Sequence, residues 1–85
     1  MEIGKLYRTT NVIYAVPIDV FKSIKMNEIG LYHYEKIIEL QQDNFVFLDY
    51  VVDSCGTKFC KILYKKNVYI TQGPYHIENS INLLT

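Results

Sequence analysis

Phe45-Val46-Phe47-Leu48-Asp49-Tyr50-Val51-Val52 is the stretch that decides the fold. Read with a period of two, it puts Phe45, Phe47 and their like on one side of an extended chain, the pattern of a strand with one buried face. Eight tyrosines and four phenylalanines among 85 residues strengthen that reading, because aromatic rings pack well on a pleated surface. Towards the C-terminus, Asp53, Ser54, Cys55 and Gly56 read as a turn, with Gly56 free to take a positive φ. Residues 57–64 and 67–71 then form a hairpin closed by Lys65, Lys66 and Asn67, in which Asn67 tolerates the left-handed region and Ile62 points inward with Phe47. Gly73 and Pro74 end the regular pattern. Ile77, Ile81 and Leu84, spaced four and three apart, predict a terminal turn or short helix across one barrel end.

Towards the N-terminus, Gln41, Gln42, Asp43 and Asn44 read as another turn. Residues 30–40 before it fit two periods: Tyr32, Tyr34, Lys36, Ile38 and Leu40 with a period of two, or Leu31, Tyr34, Ile38 and Gln41 on a helix. Aromatic enrichment favours a strand, which would return through residues 45–52 as a long hairpin. Residues 17–28 carry Val20, Phe21 and Ile24 at helical spacing. They predict an irregular loop held down by Phe21, with room for a short helical turn that has Pro17 near its start. Residues 11–16 are extended, since Pro17 biases Val16 away from the helical region. Residues 3–10 form the first strand, with Leu6 as its expected core anchor.

Composition narrows the function classes. A chain of 85 residues is one domain, 1–85, close to the size at which one core just offsets the entropy of folding. With 49% apolar and 21% charged residues it is not a disordered chain. Nine basic residues balance nine acidic ones, which removes the positive field of a general nucleic-acid binder. Apolar runs are far shorter than the roughly 20 residues that span a bilayer, so no membrane partner is expected. Residues 1–10 contain Glu2 and no apolar core of a secretory signal, which predicts a cytoplasmic protein. Cys55 and Cys60 are too few for a disulfide framework and are expected as free thiols. Ile, Lys, Asn and Tyr supply 33 residues while Ala occurs once, a bias expected of a low-GC genome.

Five short strands, a longer loop after the first pair and a tight late hairpin make the pattern of an SH3-like barrel. Glu28-Ile29-Gly30-Leu31-Tyr32, followed by Lys61-Ile62-Leu63-Tyr64-Lys65-Lys66-Asn67-Val68-Tyr69-Ile70, resembles the small SH3-like proteins of tailed bacteriophages. The resemblance spans roughly residues 3–71 and implies a mainly β, small SH3-like barrel of five or six antiparallel strands, with host cytoplasm as its setting. It carries over no functional residue. Eukaryotic SH3 domains line a proline-binding groove with an acidic loop and a Trp; here there is no Trp and only Asp19 and Glu28 fall in the matching loop, which argues against proline-peptide binding.

Four side-chain constellations remain. Cys55, Cys60, His33 and His76 have the chemistry of a zinc site, but zinc sites normally use tighter pairs such as C-x2-C and neither histidine lies in a paired motif, so no metal or cofactor is expected. Cys55 as a nucleophile lacks a neighbouring base in the sequence, and Glu35 with Glu39 reads as a solvated face, so no catalytic residue is assigned and the chain is not expected to be an enzyme. Tyrosines exceed what the core needs; Tyr32, Tyr34, Tyr64 and Tyr69 are the expected partner-binding residues, since a phenol buries its ring and keeps its hydroxyl wet. The function they predict is a protein-binding module acting on a host or viral protein, with a strand edge available for a homodimer. The alternatives are a nucleic-acid-binding barrel using Lys61, Lys65 and Lys66 beside Tyr64, and a structural component of a virion or other assembly.

Overall fold

The computed structural model describes residues 1–23, 36–52 and 56–84. In chain order the elements are β1 (Leu6–Thr9), β2 (Ile13–Pro17), α1 (Ile18–Ser23), β3 (Ile38–Leu40), β4 (Asn44–Val52), β5 (Lys58–Tyr64), β6 (Asn67–Thr71), α2 (Pro74–Ile77), a 3-10 turn (Glu78–Ser80) and β7 (Ile81–Leu83). All strand pairs are antiparallel, in the order β3-β2-β6-β5-β4-β1-β7. The sheet curls into a half-barrel. Seven strands among the described residues correct the expected five or six; the extra one is β7, three residues too short to show a period.

Two corners curl the sheet. Arg8 faces Asn44 and Ile13 faces Leu40, so β1 and β2 run beside β4 and β3 through a shared bend. Between those pairs the Thr9 N–H donates to the Asp43 carbonyl at 2.9 Å, and the Asp43 N–H donates to Thr9 Oγ1 at 2.9 Å. Asp43 Oδ2 also accepts from the Gln41 N–H at 2.9 Å, and Gln42 takes a φ of 55°. Residues 41–43 are thus a corner, not a reversal. Residues 30–35 of the expected hairpin lie outside the described residues; for its described part the expectation is corrected, since β3 pairs with β2 while β4 lies between β1 and β5.

Burial follows pleat parity with one interruption. Phe47 faces Ile62, yet two residues on it is Asp49 that faces Lys61, because a bulge at Leu48 inserts an extra residue. Strict period-two burial through residues 45–52 therefore fails after Phe47, and the bulge turns Tyr50 to the inner face. Tyr7, Ile13, Ala15, Leu40, Phe45, Phe47, Cys60, Ile62 and Ile77 form the inner core. Tyr7, not Leu6, anchors β1: its ring stacks 5.8 Å from Phe45, and its hydroxyl accepts the Glu2 N–H at 2.7 Å. That hydrogen bond lets a phenol be buried where composition alone favours leucine.

A second cluster lies on the outer face. Val16, Phe21 and Ile70 are buried there under α1, with Phe21 edge-on to Phe59 at 5.2 Å. Of residues 17–28, expected as a loop with room for a short helical turn, Ile18–Ser23 form a six-residue helix and residues 24–28 lie outside the described residues, while Pro17 itself closes β2. At the other end of the chain Gly73 precedes α2, Pro74 occupies its first turn, and Ile77 enters the inner core. Buried Thr71 donates its hydroxyl to the Tyr14 carbonyl at 2.7 Å.

The β5–β6 hairpin closes on two residues, since Tyr64 faces Asn67. Lys65 and Lys66 carry the positive φ values, 48° and 69°, in place of the expected Asn67. A two-residue turn whose central residues are both left-handed suits Asn-Gly and is costly for two lysines. Lys65→Asn combined with Lys66→Gly is expected to raise the unfolding free energy by about 1 kcal/mol, from relief of the two left-handed lysines. Thermal denaturation checks it: Tm should rise by about 4–8 °C for a domain this size, and an unchanged or lower Tm would reject the strain assigned to the turn.

Candidate binding surface

Cross-strand register assembles a feature that no single segment contains. Leu6 faces Val46, Val46 faces Leu63, and Leu63 faces Val68. All four lie opposite in parity to Tyr7, Phe45, Phe47 and Ile62, so they stand on the outer face. The Leu84 N–H donates to the Leu6 carbonyl at 2.8 Å, which extends the row to Leu84. The result is an apolar row that crosses β6, β5, β4 and β1 and ends at Leu84, just past β7, with Leu63 and Leu84 37% and 46% exposed.

Polar residues border the row. Arg8, Asn44 and Asn82 follow it on one side in register, and Asp49 and Lys61 face each other on the other. Beyond Lys61 the outer face is covered by α1, whose cluster includes Ile70, the cross-strand partner of Lys61. An apolar centre with a polar rim is the anatomy of a protein-docking face. The sequence held one signal of it: β5 alternates Phe59, Lys61, Leu63 against Cys60, Ile62, Tyr64, so both faces carry apolar residues.

Of the four tyrosines expected to bind a partner, Tyr32 and Tyr34 lie outside the described residues. Tyr64 and Tyr69 come together on the inner face near the hairpin, with ring centroids 6.0 Å apart at 62°, both half-buried against the core. Lys65 places its ammonium 5.3 Å from the Tyr64 ring centroid. Its hydrogen bond with Tyr64 raises the Lys65 pKa, because the charged ammonium is the better donor. Lys65 and Lys66 occupy the hairpin tip, whereas Lys61 stands on the outer face one row from Leu63. The three lysines therefore do not share one strand face with Tyr64.

A third grouping surrounds Tyr50. Its ring tilts against Phe47 at 4.8 Å and lies under the Lys58 ammonium at 4.6 Å. Its hydroxyl accepts from the Met1 nitrogen at 3.2 Å. Loss of hydration raises the Tyr50 pKa, with smaller contributions from Cys60, Tyr7 and Tyr75. Tyr75 stands exposed on α2.

Cys60 is a free, buried thiol that donates weakly to Met1 Sδ at 3.8 Å. Burial pushes its pKa up from 9.0 to about 11, against the opposing pull of the terminal amine and Lys58. Such a thiol is a small core side chain, not a nucleophile. Because the folded state holds this proton more tightly than the unfolded chain, stability is full below pH 9 and declines as pH rises towards 11. The decline owed to Cys60 is about 2 kcal/mol. It is measured as the difference between urea melts of the protein and Cys60→Ala across that range; parallel pH profiles would reject it.

His33 and Cys55 of the possible zinc set lie outside the described residues, and His76 is exposed on α2 while Cys60 is buried. Among the described residues, no three His, Cys, Asp or Glu side chains gather as a metal site, and no helix is long and apolar enough to cross a membrane. No protein-family model matches the chain, and no curated protein or solved structure does so either.

Proposed function

We propose that the chain is a non-enzymatic protein-binding module on an SH3-like barrel of the tailed-phage kind, acting in the host cytoplasm on a host or viral protein. The observation that carries this reading is the outer row Leu6, Val46, Leu63, Val68 and Leu84 with its polar border. A partner seated there dehydrates leucine and valine side chains that the fold leaves partly in water, at little cost in ordering because the strands are already fixed. The corners at Thr9 and Asp43 support the barrel assignment, since they fold both ends of the sheet around one core.

Tyr64 and Tyr69 supply a second place for the same function at the hairpin end, and parallel variants separate the two. Affinity capture from the native host is compared for the wild type, Leu63→Lys and Tyr69→Ala. Loss of the captured protein with Leu63→Lys alone assigns the outer row. Loss with Tyr69→Ala alone moves the site to the tyrosines, and retention by both variants rejects the two surfaces. The nucleic-acid alternative needs a free aromatic face, and the Tyr64 ring is engaged by Tyr69 and Lys65. Salt-dependent retention on single-stranded DNA or RNA, lost on replacing Lys61, Lys65 and Lys66, is the result that would favour it.

A further inference from the structure

β7 ends the sheet, and among the described residues only β1 pairs with it. Its ladder shows which backbone groups are left over. The Leu84 N–H donates to the Leu6 carbonyl at 2.8 Å and the Thr10 N–H donates to the Ser80 carbonyl at 2.7 Å. Residues 80, 82 and 84 thus turn their backbone groups to β1, and Ile81 and Leu83 direct theirs outward.

Natural sheet edges are blunted by lysine, proline, a bulge or a cover. Asn79-Ser80-Ile81-Asn82-Leu83-Leu84 contains no charge and no proline. Leu83 is 51% exposed, beside the exposed Leu84. The opposite edge strand, β3, carries Glu39 at its centre. Among the described residues the contrast singles out β7 as the unprotected edge.

We infer that β7 is a self-pairing edge, to which a second copy of this chain adds antiparallel across a two-fold axis at Asn82. In that register Ile81 faces the partner's Leu83, and the two exchange both backbone hydrogen bonds on each side of the axis. Asn82 faces the partner's Asn82 as a non-hydrogen-bonded pair, the closer of the two antiparallel spacings. The edge is its own complement, apolar against apolar and amide against amide, which is what an isologous contact requires. With a formal net charge of zero, no net charge repulsion opposes the approach of two copies. Because the strand has only three residues, the dimer is weak and depends on concentration.

Sedimentation equilibrium from about 10 μM to about 1 mM tests the inference across the range of weak association. The expected mass rises from 10.0 kDa towards twice that value. Leu83→Pro removes one outward donor without touching the β1 ladder, and Leu83→Lys installs the missing edge charge; each is expected to weaken the dimer at least about tenfold. Circular dichroism confirms that either variant is folded, and the lysine variant decides should the proline one unfold. With oxidised glutathione added as the two-electron oxidant, Asn82→Cys should form a disulfide-linked dimer much faster than Lys66→Cys at the hairpin tip. A monomer at every concentration, a dimer indifferent to Leu83→Lys, or equal crosslinking of the two cysteine variants would overturn the inference. A dimer lost with Leu63→Lys and kept with Leu83→Lys would overturn it too, and would assign self-contact to the outer row.

Discussion

Phe47→Ala is expected to lower the unfolding free energy by about 4 kcal/mol, the cost of removing a fully buried ring and leaving its space unfilled. The side chain has 0% exposure at the middle of β4, facing Ile62 across the ladder and Tyr50 around the bulge. At roughly 0.05–0.15 kcal/mol per residue, the whole domain has a stability of about 4–13 kcal/mol. One truncation therefore removes a third or more of it. Leu63→Ala, one strand over and opposite in parity, should cost about 1 kcal/mol or less, because much of that side chain stays in water. Urea denaturation of both variants at unchanged m-value measures the contrast. Equal losses would mean that Leu63 is buried as deeply as Phe47, against the assignment of the two faces.

That contrast also marks how far the sequence could be read. β5 and β6 were legible almost to the residue, since their alternation is bounded by Gly56 and by a tight turn at residues 65–66, and local chemistry is enough for both. The inward direction of Phe47 and Ile62 followed from the same period. Past Phe47 the period broke at Leu48, a residue with nothing in its chemistry to announce a bulge. The partner of β3 was illegible for a different reason. Sequence neighbours separated by four turn-forming residues usually make a hairpin, and what prevents it is the Thr9–Asp43 pair of hydrogen bonds, a contact 34 residues apart along the chain.

The candidate site was the least legible part because it belongs to the register. Leu6, Val46, Leu63 and Val68 come from four segments, and each looks like an ordinary core residue by itself. Only the pairings place them in one line on the solvent side. Tyr64 and Tyr69 were found from composition, and the fold does bring them together, but with their rings on each other and against the core. An aromatic count reports how much surface such rings can cover. It carries no information on which face of the sheet they occupy.

Gly73→Ala is expected to cost about 3 kcal/mol, at the upper end for overpacking by one methyl group. Its φ of −64° is open to any residue, so the requirement for glycine is spatial. A Cβ built there collides with the carbonyl oxygen of Lys58. Neither side can yield easily. Lys58 begins β5 and is held in register with Val52, while Gly73 caps α2, its carbonyl accepting the His76 N–H at 2.9 Å and Pro74 fixing the next φ. Backing α2 away from β5 would withdraw Ile77 from the inner core, where it is fully buried. Gly56→Ala supplies the control: it has a φ of 83° with nothing among the described residues within 4 Å of the added Cβ, and should cost only about 1 kcal/mol from the left-handed backbone. Denaturant melts that rank the two substitutions in the reverse order would show that α2 does not pack on the start of β5 as described.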